Sequence, residues 1–293
     1  MPAFIPTEQE RAAQQFSPDT LFQAVRAFNR DGFLVMEDIM DTSVLDGIRD
    51  FLVGEGDDIR KPHKAEEGRA TGNFLQAAPA HLPELGSDML YKNPFVLQVI
   101  NAYLGARPQF IYTAGNNATK GERCDRGCIQ VAAQTVLCDF TPESGATEVW
   151  PGSHRFTAIT DHEEKNSGFA MEIRSEVVEK RRETHPPVQV PCRYGGVFLR
   201  DMRLWHAGMP NSTHADRIML ACGYTARWYQ CEGTVKLPIG TEHLYQSSDL
   251  VEVMSEFLPL EEYLNMRNVI TPNQFQTRLH LDDGCGRRDI EEM

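Results

Sequence analysis

Two apolar runs, Val197-Phe198-Leu199 and Ile218-Met219-Leu220-Ala221, are separated by a polar stretch that carries one histidine, His206, and closes on one arginine, Arg217. Runs of this length bounded by Gly, Pro, Asn and Asp read as strands. The pattern predicts two antiparallel strands with His206 and Arg217 at facing ends. Any fold for this chain must therefore place an imidazole and a permanent cation at the end of a sheet. Similar short runs recur at Phe110 to Thr113, Ile129 to Leu137, Thr147 to Trp150 and Val188 to Val190. With Gly, Pro and polar turns between them, they predict a mainly β chain with flanking helices. Its core is a double-stranded β-helix, a cupin-like jelly roll, over about residues 109–230.

The helices are expected on either side of that core. Ser17-Pro18-Asp19 is a helix start, Leu21, Phe22, Val25 and Phe28 recur at helical spacing, and Asp31-Gly32 is a stop. A strand from Phe33 to Ile39 and a second helix capped by Asp41, with Val44, Leu45, Ile48, Phe51 and Leu52 on one face, follow. Asn93-Pro94 opens an apolar helix that Gly105 ends, so the helical third spans about 17–105. Before it, Met1 to Gln15 reads as a loose arm. Residues 55–73 read as a charged surface loop, and His63 and His81 as solvated loop histidines. A short helix is expected near Ser175 to Glu183, and an amphipathic pair, Leu250 to Leu258 and Leu260 to Met266, makes C-terminal helices over about 248–268. At 293 residues the whole chain, 1–293, reads as one elaborated domain.

A balance of 42 acidic against 29 basic residues, a net charge of −13, opposes binding to phosphate backbones or anionic lipid. The basic cluster Lys180-Arg181-Arg182 is flanked by Glu179 and Glu183 and reads as a solvated face. Neither nucleic acid nor membrane is expected as a partner. Seven scattered cysteines, two of them (Cys138, Cys222) in apolar runs, suit reduced thiols. No window reaches the roughly 20 apolar residues of a membrane span. A cytoplasmic protein is the expectation.

The wording of two stretches carries a family resemblance. Asp139-Phe140-Thr141-Pro142-Glu143-Ser144-Gly145-Ala146-Thr147-Glu148-Val149-Trp150-Pro151-Gly152-Ser153-His154 and Arg200 to Arg217 resemble the phytanoyl-CoA dioxygenase (PhyH) family of Fe(II)/2-oxoglutarate oxygenases. The likeness is to its fungal natural-product branch, and the layout matches over roughly residues 20 to 270. The resemblance implies that His206 is a metal ligand, that Arg217 pairs with the distal carboxylate of 2-oxoglutarate, and that Thr147 can contact that co-substrate. For Thr147 the plainer alternative is an ordinary β-branched strand residue. His154, in the Pro-Gly-Ser-His turn, reads as a structural hydrogen-bonding histidine.

The chemistry of the family needs two imidazoles and a carboxylate on one face of the iron. The resemblance places the other two ligands, His-x-Asp, ahead of the strand leading to Asp139, where this chain reads Asn116 to Cys128 without a histidine. Asp125 is the nearest vestige of the aspartate, with Arg123 in the place of the histidine, and a guanidinium repels a divalent cation. The literal His-x-Asp strings, His214-Ala215-Asp216 and His280-Leu281-Asp282, fall on the wrong segments. The expected cofactors, Fe(II) and 2-oxoglutarate, are thus not expected to be bound productively, and His206, Arg217 and Thr147 are read as a vestigial site. Three functions follow. The first is a non-catalytic subunit that stabilises a homologous active oxygenase in a heterodimer, in meroterpenoid-type secondary metabolism. The second is an active oxygenase with a rearranged ligand set, and the third a metal-free isomerase using His206 as acid or base.

Overall fold

The computed structural model describes residues 3–54, 73–118, 130–157, 161, 173–229 and 233–266. Strand β4 (Gln130–Val136) is buried along its whole length because it lies inside the larger sheet. It is flanked by β7 (Val197–Asp201) and β9 (Arg217–Thr225), and pairs antiparallel with both. That arrangement corrects the expected hairpin: β7 and β9 run parallel to each other on opposite sides of β4. The polar stretch between them crosses to another sheet. There β8 (His206–Ala207) pairs with β5 (Glu148–Val149), whose other neighbour is β6 (Val188–Gln189). A hairpin prediction assumes that consecutive strands pair, whereas jelly rolls alternate successive strands between sheets.

The larger sheet is seven-stranded, in the order β1-β7-β4-β9-β3-β11, with β2 also on β3; β1 is Phe33–Met36, β2 Asn73–Ala77, β3 Gln109–Ala118 and β11 Glu252–Val253. Two faces of this sheet carry two cores. Outward, Val131, Ala133, Val197, Leu199, Leu220 and Tyr224 pack against the N-terminal helices. Inward, Val136, Phe198 and Met219 meet Val149, Phe140 and Leu204 between the sheets. The mainly β class with flanking helices, built on a cupin-like jelly roll, is therefore the fold of the chain.

The helices form where their end signals lie. Helix α2 (Pro18–Asp31) is capped by Ser17, whose side chain accepts from Thr20 N, and is ended by Gly32 at φ 82°. Glycine is required there twice over, because a Cβ would also meet His154 Nδ1 at 2.5 Å. Helix α4 (Pro94–Leu104) is capped by Asn93, which accepts from Phe95 N and Val96 N. The arm before α2 is more ordered than expected: α1 (Glu8–Ala13) has a capping box in which Thr7 and Glu10 satisfy each other's backbone N–H. The Thr-x-x-Glu signal was present in the sequence. Strand β1 stops at Met36, short of Ile39, and Asp38 sits at φ 54°. Asp41 caps a 3-10 turn (Thr42–Val44), and the helix that follows, α3, occupies 46–54. His81 is half-buried edge-on to Phe51, not solvated. Residues 55–72, with His63, lie outside the described residues.

At the other end the predicted helix from Leu250 to Leu258 is two strands. Strand β11 pairs parallel with β3, and β12 (Ser255–Leu258) pairs parallel with β10 (Val235–Pro238). The run from Glu252 to Phe257 also fits a period of two, and available sheet edges decide in favour of the strand. Only α6 (Leu260–Leu264) remains helical, and α5 (Ser175–Thr184) forms as predicted. Among the described residues no helix is long and apolar enough to cross a membrane.

His154 joins α2 to the smaller sheet: it is 5% exposed, with Nε2 3.1 Å from the carbonyl of Asn29 in the last turn of α2. Burial lowers its pKa, against the opposing pull of Asp201. A base with a depressed folded pKa stabilises the fold fully above its unfolded value, about 6.5, and that contribution is lost as pH falls through it. Urea midpoints should therefore drop between about pH 7.5 and pH 5.5, with a shallower drop in His154→Gln.

Candidate functional site

The loop that delivers His206 is fixed by one buried carboxylate. Asp201, at the end of β7, is 1% exposed. Its Oδ1 accepts from Arg203 N (2.8 Å) and Nε (3.0 Å), and its Oδ2 accepts from Arg203 Nη2 (2.8 Å) and from the Tyr103 hydroxyl of α4 (2.6 Å). Burial and Asp201 together push the Tyr103 hydroxyl up, and the hydrogen bond to Asp201 keeps Arg203 firmly protonated. Asp201 O then receives Leu204 N, Ser153 Oγ receives Trp205 N, and Trp205 O receives Trp150 N. His206 is thereby set opposite Val149 in register.

Directly opposed residues on neighbouring strands share a face. Val149 belongs to the core between the sheets, so His206 points there too, as does Thr147 two residues before Val149. Thr147 is buried and its carbonyl accepts from Val190 N. Arg217 enters from the larger sheet. It is 1% exposed, its guanidinium lies 5.0 Å over the Phe140 ring, and Phe140 and Met219 are both in the inter-sheet core. Strand pleating and pairing thus turn His206, Thr147 and Arg217 into one inter-sheet space.

The interior face of the larger sheet holds residues that sequence reasoning missed. By register, Ala114, Ala221, Gln134 and Phe198 form one row, and Tyr112, Gly223, Ala132 and Arg200 the next. The small members make room. At Gly223 a Cβ would lie 1.8 Å from the Tyr112 ring, so that ring rests on the glycine. Gln134 Oε1, Asn116 Oδ1 and Arg217 Nε are buried without hydrogen-bond partners among the described residues. Arg200, 3% exposed, brings Nη1 to 3.2 Å from His206 Nδ1. A charged residue ending the apolar run Val197-Phe198-Leu199 was the available signal. Two open clefts, of about 180 and 330 Å³, instead run along β1, Val188 to Pro191 and Asp139 to Thr141; neither is lined by His206 or Arg217. The chemistry sits deeper than these surface clefts.

Helix α5 covers the outside of this region. The cluster expected to be solvated is partly stacked: Arg181 lies 5.5 Å over Trp205 and Arg182 lies 4.9 Å over Trp150. The two indoles meet edge to face at 6.0 Å.

Iron fits the described residues poorly. His206 is the imidazole in the space, a permanent cation touches it, and among the described residues no three His, Cys, Asp or Glu side chains gather to hold a metal. Asn116, expected at the start of a loop, is in β3, which continues to Ala118; Arg123, Cys124, Asp125 and Cys128 lie outside the described residues, as does His280. His214 is on an exposed turn. Arg217 is different: it suits an anion. It has no carboxylate partner among the described residues, and burial lowers its pKa to about 10, still cationic near neutrality.

The fold and this interior define a cupin-like jelly roll whose inter-sheet space faces a histidine and an arginine. The sequence pattern of the family described as Phytanoyl-CoA dioxygenase (PhyH) matches residues 28–219, and the chain belongs to that family. Among solved structures it is similar to the epimerase SnoN in complex with Fe3+, alpha ketoglutarate and nogalamycin RO, at 18% identity and TM-score 0.53, covering 83% of this chain and 97% of that one. EctD from S. alaskensis, with 2-oxoglutarate and 5-hydroxyectoine, matches at 18% identity and TM-score 0.52 over 83% and 88%. The carbocyclase SnoK from nogalamycin biosynthesis matches at 17% and 0.50 over 82% and 95%.

Two outcomes follow from these charges. Asp201→Asn should cost on the order of 3 kcal/mol in chemical denaturation, because it removes the charge that pairs with Arg203 and turns an NH2 towards donors that one carboxylate oxygen now accepts, discounted for the partial exposure of Arg203. Arg217→Met should stabilise the ligand-free chain by on the order of 1–3 kcal/mol, since it removes a buried cation that has no carboxylate partner among the described residues. A lower melting temperature for Arg217→Met would show that the guanidinium is compensated.

Proposed function

We propose that this chain is a non-catalytic member of the phytanoyl-CoA dioxygenase family in fungal meroterpenoid-type natural-product biosynthesis, working as a folded subunit that stabilises a homologous active oxygenase in a heterodimer. The observation that supports the non-catalytic reading is that, among the described residues, no three metal-binding side chains gather and Arg200 Nη1 stands 3.2 Å from His206 Nδ1. The natural-product setting rests on the two motif stretches and accords with SnoN and SnoK, both from nogalamycin biosynthesis. The partnership rests on a physical argument. A scaffold with two well-packed cores and no metal-binding cluster among its described residues is constrained by something other than turnover, and a duplicated enzyme inherits a self-complementary interface its sister can still use. Arg217 leaves the chain a vestigial affinity for 2-oxoglutarate, through a bidentate pair with a carboxylate.

Anaerobic titration of the pure chain with Fe(II) and 2-oxoglutarate should give no metal-to-ligand absorption band, and exposure to oxygen no stoichiometric succinate. Succinate formed in step with oxidation and abolished by His206→Ala would establish an active oxygenase with ligands from residues 119–129. Co-expression tests the partnership. The active sister should be less soluble and less active when made alone, because an obligate interface stabilises both subunits by mass action. Equal yield and turnover without this chain would end that part of the proposal.

A further inference from the structure

Two features of the larger sheet, each of which weakens it, converge on one ring. Strand β3 carries a bulge: Phe110 pairs with Tyr224 and Tyr112 with Gly223, so Ile111 is one residue too many. A bulge interrupts the ladder, and the extra residue turns the side chains beyond it to the other face. Without Ile111, Tyr112 would stand opposite Cys222 on the outer face, with Phe110 and Tyr224. With it, Tyr112 lies on the inner face and packs with Ala221.

The second feature is Gly223. A glycine inside a central strand loses more entropy on folding than other residues and brings no side chain to the core. No positive φ calls for it here. Tyr112 does: a Cβ at 223 would lie 1.8 Å from ring Cε1, 2.1 Å from Cδ1 and 2.4 Å from Cζ. The next strand in that row offers Ala132, and the Tyr112 hydroxyl ends 3.9 Å from Met202 Sδ, just past β7. The side chain thus reaches from β3 across β9 and β4, buried at 3% exposure. A tyrosine shielding a cross-strand glycine would explain Gly223 but not Ile111.

We infer that Tyr112 is the end wall of the inter-sheet space and a specificity-determining residue for whatever lodges there. Gly223 and the bulge form a seat for a phenol-sized ring, and the chain fills that seat with its own side chain. Gly223 follows Arg217 by six residues on β9, about 20 Å along the inner face at roughly 3.3 Å per residue. A guest between the sheets is confined to that stretch, and an aromatic ring gains the seat only by displacing Tyr112. The wall belongs to β3 and β9, so it stands whether or not the chain holds iron and goes beyond the non-catalytic reading.

The test uses the full chain and p-cresol, the tyrosine side chain as a free molecule, with the melting temperature as readout. Tyr112→Ala should melt lower than the wild type, and p-cresol should raise it dose-dependently, by on the order of 5 °C at saturation, because a ligand that binds only the folded state stabilises it by mass action. The wild type, its seat filled, should not respond. Neither should Tyr112→Ala/Gly223→Ala, in which the added methyl occupies the seat. A folded Tyr112→Ala that ignores p-cresol overturns the inference, and so does an equal response from the wild type. If Tyr112→Ala does not fold, the glycine decides. Gly223→Ala alone should then melt below the wild type while the double variant regains a folded state; an unfolded double variant, or a Gly223→Ala as stable as the wild type, overturns the inference. Succinate formation is untouched by these outcomes, so the wall and the non-catalytic reading can fail separately.

Discussion

Asp201 is the point at which three layers of this protein are tied together. A carboxylate at 1% exposure is tolerable only when its charge and lone pairs are taken up, and here Arg203 and Tyr103 take up all of them in one cluster. Tyr103 belongs to α4 and packs edge-on against Phe28 of α2, so the cluster fixes the helical layer to the end of β7. Arg203 and the Asp201 carbonyl hold the turn that carries the chain across to the smaller sheet. With the Ser153 and Trp150 bonds to Trp205, that anchor sets the path of the crossing segment and the register of His206 against Val149.

Between the sheets the logic reverses. The outer face of the larger sheet is mostly apolar, whereas the inner face keeps Arg217, Gln134 and Asn116 with buried polar atoms lacking partners among the described residues. Such atoms cost stability, and a fold keeps them only where the surroundings over-determine their position. The strong packing on the helical side offsets that cost. Arg217 gives that inner face a buried positive charge.

The fold was legible because its signals are local. Ser17-Pro18 with Gly32, and Asn93-Pro94 with Gly105, mark helix ends by backbone chemistry that the structure reproduces. The short strands were found because each run is apolar and bounded by turn residues. Pairing was not legible: the wrong hairpin for β7 and β9, and the wrong period for Glu252 to Phe257, both arose where a distant strand edge decides the outcome. In the site, His206, Arg217 and Thr147 could be named from their motifs and are turned into one space. Arg200 and Gln134 could not, because each looks like an ordinary strand residue until the register places it on the inner face.

The two edge-to-face indoles under α5 give the molecule an optical property. Of its three tryptophans, Trp150 and Trp205 are buried beneath Arg182 and Arg181, while Trp228 stands 63% exposed. Helix α5 has no buried residue of its own, so these stacks and the Arg181 bond to the Pro151 carbonyl are prominent among its attachments. Emission from this protein is thus a sum of one water-exposed fluorophore and an indole pair whose surroundings change when α5 lifts. The protein carries its own reporter for the docking of that helix, one residue from the histidine on which the site turns.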